Sequence, residues 1–346
     1  MKTLLRLLLK SQHQQNRTEP DKTEKGMTLI ELLIGTVMAF LIITPMLGFV
    51  VDMLNTDRRE QVKSNTEQDI QAAVDFIAQD LSQAIYIYDN NAINVGTIDA
   101  PAILGKLPKP NNGTPILVFW KRQQIRDAIS VNTTTRVLPI NCNKNISVKD
   151  CNDTYVRSLV AYYQIKELQP NSPWCQPSGG NCPTRIARYE IKEGILKPGA
   201  PVATPYYGEG EAKEGQQASQ GFNPNFDLNK PTKDVTIGSV FPPEQVLVNY
   251  LDDNTVNVPQ PADCKTALGV IDPTGTTIKP GDLLITDTDK SHSFYACVDT
   301  SRNLARVTIR GNSLRRLQTD AKYDANKSAF FPTATVQVQG RGDRGK

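Results

Sequence analysis

The sequence predicts an α+β chain: a long N-terminal helix, with a membrane half followed by an amphipathic half, packed on a mostly β, disulfide-containing head. Three observations carry that expectation. Residues 32–51 form a run of twenty without a charge, and a helix of that length, at about 1.5 Å per residue, crosses the roughly 30 Å hydrocarbon core of a bilayer. Ile70, Val74, Ile77, Leu81 and Ile85 follow at spacings of three and four, which draws one apolar stripe along a helix. Further on, β-branched and aromatic stretches alternate with turn-rich segments that hold six cysteines.

Residues 1–26 read as a cytoplasmic leader. They hold six Lys or Arg (Lys2, Arg6, Lys10, Arg17, Lys22, Lys25) against Glu19, Asp21 and Glu24, a net of +3. The positive-inside rule keeps that side cytoplasmic and exports everything after Val51. An ordinary secretory signal, with an early apolar core and a small-x-small cleavage site, does not fit. Leu4, Leu5, Leu7, Leu8 and Leu9 are compatible with a short surface-lying turn or with plain disorder.

The run Lys25-Gly26-Met27-Thr28-Leu29-Ile30-Glu31, followed by the uncharged span, resembles the class III signal of type IV prepilins and type II secretion pseudopilins. The resemblance implies that a prepilin peptidase cuts between Gly26 and Met27 and that the new N-terminal residue, Met27, is methylated. Glu31 becomes the fifth residue of the mature chain. Met27 departs from the family, where phenylalanine is commonest, but keeps a large apolar residue.

A carboxylate near the end of a span costs about 2–3 kcal/mol if left unpaired in lipid. Cleavage would create a partner for Glu31 in the α-amino group of Met27 on a neighbouring subunit. A carboxylate that snorkels to the interface is the alternative. Pro45, with Gly35 and Gly48, falls within the span; proline removes a backbone hydrogen bond and kinks or loosens a helix. In the resembling family, loosened helix at this depth allows close filament packing. Glu31 and Pro45 are therefore the candidate assembly residues.

The expected organisation is a leader (1–26), a transmembrane and assembly helix (27–51), an amphipathic helix (52–88), a first β part (89–196), a loop or linker (197–233) and a second β part with a basic tail (234–346). No Gly or Pro occurs from Phe49 to Val95, so the helix is expected to reach about Tyr86. Phe76-Ile77-Ala78-Gln79-Asp80-Leu81 is similar to a phenylalanine-isoleucine-x-x-aspartate-leucine run of large minor pilins and J-type pseudopilins. Strands are expected over Pro115–Trp120, Tyr155–Lys166, Arg185–Leu196, Gln245–Leu251, Asp282–Thr286, Phe294–Val298, Ala305–Ile309 and Thr335–Val338. Residues 197–233 are rich in Gly, Pro, Gln and Glu, with few hydrophobes, and read as solvated.

The cysteines sort by proximity into Cys142/Cys151, Cys175/Cys182 and Cys264/Cys297. An even count in an exported segment favours disulfides, though six cysteines permit fifteen pairings. Zinc is the rival reading, but paired Cys-x-x-Cys spacing is missing and His292 is the one histidine after the leader. The expectation is no metal, no cofactor and no catalytic residues: no nucleophile elbow, phosphate loop or histidine pair occurs. His292 reads as a surface imidazole. Asp252-Asp253-Asn254 and Asp287-Thr288-Asp289 are calcium-capable, but neither completes a loop motif. Removing the leader's +3 from the whole chain's +3 leaves a neutral mature chain, so nucleic acid is not an expected partner. Arg306, Arg310, Arg315 and Arg316 nevertheless form the candidate polyanion contact, with strand ends as the alternative.

The resemblance extends, more loosely, to cyanobacterial pseudopilins of hormogonium polysaccharide secretion. What it implies is a non-catalytic minor subunit that primes or caps a type IV pilus-like filament for motility or for polysaccharide or protein secretion. Its partners would be the prepilin peptidase, other pilins or pseudopilins through the N-terminal helix, an inner-membrane assembly platform and, as candidate cargo, a polysaccharide. It would sit in the inner membrane with an exported head and pass into a periplasmic or surface filament. A pilus-displayed adhesin or polyanion-binding head and a membrane-anchored extracytoplasmic enzyme are the alternatives.

Overall fold

The computed structural model describes residues 27–97, 100–131, 137–142, 151–176, 181–201, 204–271 and 279–342. The leader at 1–26, including Gly26, lies outside them. The described chain is α+β and divides into two units, 1–57 and 58–346.

One helix, α1 (Leu29–Ser82), supplies the regular structure of the first unit's described residues and runs on into the second. Its 54 residues correspond to about 80 Å of helix. Every residue from Met27 to Gln61 is exposed, including Leu29, Phe40, Phe49 and Met53, and the apolar part is long enough to cross a membrane. From Thr66 onward one face is buried: Thr66, Ile70, Ala73, Val74, Ile77, Asp80 and Leu81. Ile70, Val74, Ile77 and Leu81 are the stripe positions the periodicity picks out, joined by Thr66, Ala73 and Asp80, which it does not.

The helix ends earlier than the sequence suggests. Ala84–Ile87 forms strand β1, paired antiparallel with β2 (Gly113–Ser130). Nothing local forbids helix there, but Ile85-Tyr86-Ile87-Tyr88 is β-branched and aromatic, and pairing with β2 overrides the helical period. Ile85 is thus a buried strand residue.

Strands β3 (Cys151–Lys166), β4 (Thr184–Lys192) and β5 (Gln245–Leu251) complete an antiparallel meander in the order β1-β2-β3-β4-β5. The register runs Pro115 with Tyr163, Trp120 with Leu159, Ala161 with Tyr189 and Ile165 with Arg185. Pro115 is tolerated in a strand because β1 reaches only as far as Phe119, and the ladder shifts register between Pro115 and Leu117. A second sheet contains β6 (Leu284–Thr286), β7 (Phe294–Asp299), β8 (Leu304–Arg310) and β9 (Thr333–Gln339), in that order and all antiparallel. Short helices α2 (Cys264–Leu268) and α3 (Pro280–Leu283) precede it.

Two expectations about organisation are corrected. Strand β5, expected in the second β part, belongs to the first sheet, and both sheets and the helix stripe share one hydrophobic core. The segment 197–233, expected as a loop or linker, has no helix or strand among its described residues, but it packs on the first sheet instead of linking two separate bodies. Its few hydrophobes are anchors: Phe226 stacks on Trp120 at 4.1 Å between ring centroids and Phe222 meets the same indole edge-on at 6.1 Å. Arg157 holds the backbone over them, donating to the Phe226 carbonyl at 3.3 Å while its Nη2 pairs with buried Glu193 at 2.9 Å. Three disulfides, Cys142–Cys151, Cys175–Cys182 and Cys264–Cys297, close the loops, in the pairs that proximity groups.

Candidate functional site

At the start of α1, Thr28 and Glu31 form a reciprocal cap. The Thr28 backbone N–H and hydroxyl donate to the Glu31 carboxylate at 3.3 and 3.2 Å, and the Glu31 N–H donates to Thr28 Oγ1 at 3.4 Å. This is the Thr-x-x-Glu capping box, which satisfies amides that the first helical turn otherwise leaves bare. The spacing is visible in the sequence, although the reading of Glu31 as an intramembrane acid passes over it. Pro45 leaves the Leu41 carbonyl without its usual i+4 donor, yet the helix continues unbroken through it. The Thr44 hydroxyl donates back to the Phe40 carbonyl at 2.8 Å.

At the other end of α1, Asp80 is buried against the first sheet. Lys121 Nζ of β2 donates to one carboxylate oxygen at 2.9 Å, while the Tyr162 hydroxyl of β3 and Arg188 Nε of β4 donate to the other, both at 2.7 Å. Glu190 closes the group, 3.2 Å from Lys121 and 2.9 Å from Arg188. Two acids thus balance two bases in an interior where an unpaired charge is expensive. Burial pushes the Asp80 carboxyl up, but Lys121, Arg188 and the hydrogen bonds outweigh it and hold the carboxyl below its ordinary range.

The Phe76-Ile77-x-x-Asp80-Leu81 pattern acquires a physical meaning here. Residues four apart share a helix face. The Arg188 guanidinium lies over the Phe76 ring at 5.6 Å, so Phe76 and Asp80 engage one guanidinium, while Ile77 and Leu81 enter the core.

The candidate polyanion contact is corrected. Arg310 is buried, donating from Nε to Asp252 at 3.0 Å and from Nη2 to the Ser291 carbonyl at 2.7 Å. Arg315 is buried too and donates to the Asn181 carbonyl at 2.6 Å. Arg316 reaches α1, bonding Thr66 Oγ1 at 2.9 Å, pairing with Asp69 and lying over the Tyr250 ring at 4.5 Å. Arg306 is half-buried within β8, opposite Cys297 and Gln337. Arg310 and Arg315 face inward because the head contains buried acceptors that the charge pattern of the sequence does not reveal.

Nor are the acidic pairs free. Asp252 is fully buried against Arg310, Asn254 and Asn312. Asp287 accepts from the backbone and hydroxyl of Ser291 at 2.9 and 2.8 Å and from the backbone of His292 at 3.1 Å, closing the turn between β6 and β7. His292, expected at the surface, is buried in that turn at φ 51°. Burial holds its imidazole below the ordinary range, with Arg310 and Lys290 acting in the same direction and Asp287 opposing. Among the described residues no group of three or more His, Cys, Asp or Glu is placed to hold a metal ion.

These elements define a class: one N-terminal helix of membrane-spanning length whose outer half is pinned by buried ion pairs to a disulfide-bridged, two-sheet head. Comparison with family models, curated proteins and solved structures returns no match.

Proposed function

We propose that the chain is a minor pilin or pseudopilin: a structural subunit that is cut between Gly26 and Met27, methylated at Met27, and inserted through α1 into a pilus-like filament serving motility or secretion. The observation that carries this reading is the position of Gly26-Met27-Thr28-Leu29-Ile30-Glu31 at the head of α1, whose side chains are exposed from Met27 to Gln61. The uncharged part of that surface, residues 32–51, needs lipid or other helices to cover it. A bulky head, about 290 residues by the unit boundary at 58, fits a priming or capping position better than every layer of a filament. The reading assigns no catalysis to the head, and with Arg310 and Arg315 enclosed a polyanion-binding head loses its best residues.

Glu31 then has two partners at different stages: Thr28 of its own chain, and the α-amino group of a neighbour. Separating them is the test. Thr28→Val removes the cap and costs about 0.5–2 kcal/mol of local helix, so cross-linked oligomers should still be recovered from membranes. Glu31→Gln removes the charge that meets the amine, worth about 2–3 kcal/mol or roughly 30- to 150-fold in association. Cross-linked oligomers should vanish in that variant. Equal recovery of oligomers from wild type and Glu31→Gln would sink the assembly role.

A further inference from the structure

Strand alternation gives the first sheet two faces. Arg188 and Glu190 of β4 point to the Asp80 group under α1, so Arg185 and Tyr189 point to the opposite face. There they line a cavity of about 460 Å³, walled by Asn112 before β3's partner strand, by Lys166, Glu167 and Gln169 at the end of β3, and by Glu244 before β5. That volume is in the range of small-ligand sites.

The chemistry of the walls is specific. Arg185 is buried and forks between two carboxylates, Glu167 and Glu244, at 2.9 Å each, and its Nε has no partner. The Tyr189 hydroxyl donates to Glu244 at 3.1 Å. Glu167 is pushed up by burial but held below its ordinary range by the Gln169 backbone, the Ser172 hydroxyl and Arg185, and Glu244 accepts from Arg185 and Tyr189. Arg185 alone stands between Glu167 and Glu244, while Lys166 at the rim pairs with Asp289 outside the cavity at 3.6 Å, so the walls carry one acid in excess. A phosphate or carboxylate would meet two carboxylates, and an ammonium would meet Arg185. A hydroxyl both donates and accepts, and therefore suits a surface where acceptors and donors alternate.

A second cavity of about 460 Å³ shares Lys166. It sets Lys322 and the same Lys166 against Asp253 and Asp320, with Tyr323 and amide side chains among its other walls, so the two cavities together hold three bases against four acids and disfavour an anion. Beside the first cavity the exposed Trp174 ring lies 5.9 Å from the Arg185 guanidinium. Its loop is fixed by the Cys175–Cys182 bridge and by Asn249, which donates to the Trp174 carbonyl at 3.1 Å. Flat apolar sugar faces pack on such rings.

We propose that these two cavities, joined at Lys166, form one groove that binds an uncharged oligosaccharide, with Arg185, Glu167, Glu244 and Gln169 meeting ring hydroxyls and Trp174 flanking the first subsite. The groove belongs wholly to the head and stands whether or not α1 assembles into filaments.

The test uses the full chain in lipid nanodiscs, titrated calorimetrically with cellohexaose, xylohexaose and mannohexaose, and with hexagalacturonate as the anionic counterpart. At least one neutral hexasaccharide should bind saturably and quench Trp174 emission. Gln169→Ala, an exposed loop change, and Glu244→Gln should each weaken it about tenfold, the effect of one lost hydrogen bond. Glu31→Ala should leave it unchanged. Absence of saturable binding to all three neutral probes, binding of hexagalacturonate alone, or affinity indifferent to both groove variants would each overturn the proposal.

Discussion

Asp80, Lys121, Arg188, Tyr162 and Glu190 form a buried ion-paired group under α1. Removing one member of a buried ion-paired group strands the others, a loss of roughly 3–5 kcal/mol. Asp80→Ala should therefore destabilise the head by that amount in chemical denaturation, with Lys121 and Arg188 left facing Glu190 alone. Gly311 makes a steric counterpart: a Cβ there would lie 3.0 Å from Ile70 Cγ1 and Thr66 Cγ2 of α1. Gly311→Val should cost about 1–3 kcal/mol by overpacking, visible as a lowered unfolding midpoint. The pH dependence follows from three groups. His292 sits below its ordinary 6.5 in the fold, so the unfolded chain binds the proton more readily and stability begins to fall as pH drops below about 6.5. Asp80 and Glu190 lie below their ordinary 3.8 and 4.5, so their contribution is complete above those values and is lost as pH falls through the folded ones. Thermal melts should show a shallow decline below pH 6.5 and a steep one below about 4.5. His292→Asn, which tolerates the positive φ, should abolish only the shallow step.

At the scale of elements, periodicity and propensity located most of the fold. The helix stripe and eight of the nine strands among the described residues stand where hydrophobic spacing and β-branched runs put them, because those patterns are the local cause of burial. What was illegible is what depends on distant partners. The end of α1 is set by β2 capturing Ala84–Ile87, not by any breaker. The extension of β2 through polar residues to Ser130 is set by β3 alongside it. Residues 197–233 look solvated by composition because four aromatics, Tyr206, Tyr207, Phe222 and Phe226, suffice to anchor them. The disulfides differ in the loops they close: 33 residues separate Cys264 from Cys297, against 9 and 7 for the other pairs. Loop-closure entropy then assigns about 4 kcal/mol to the long bridge and about 2–3 to each short one. Replacing Cys264 and Cys297 together by Ala should lower the unfolding midpoint further than removing either other pair.

For the molecule as a whole, the two ends of α1 carry different tasks. Its first turn is capped by Thr28 and Glu31, and its last turns are locked to the head by Asp80, Phe76 and the apolar stripe. The Gly26-to-Glu31 run was legible in the sequence because it is contiguous. The groove on the far face of the first sheet was not, since Asn112, Glu167, Arg185 and Glu244 come together only through strand register. The central claim, a subunit released from its leader to assemble through α1, is tested most directly by intact mass and N-terminal sequencing of the protein from its native membrane, wild type beside Gly26→Ala. The account predicts a wild-type chain that begins at N-methylated Met27 and a Gly26→Ala chain that keeps residues 1–26. A wild-type chain that still begins at Met1 would contradict it and leave α1 as a simple membrane anchor.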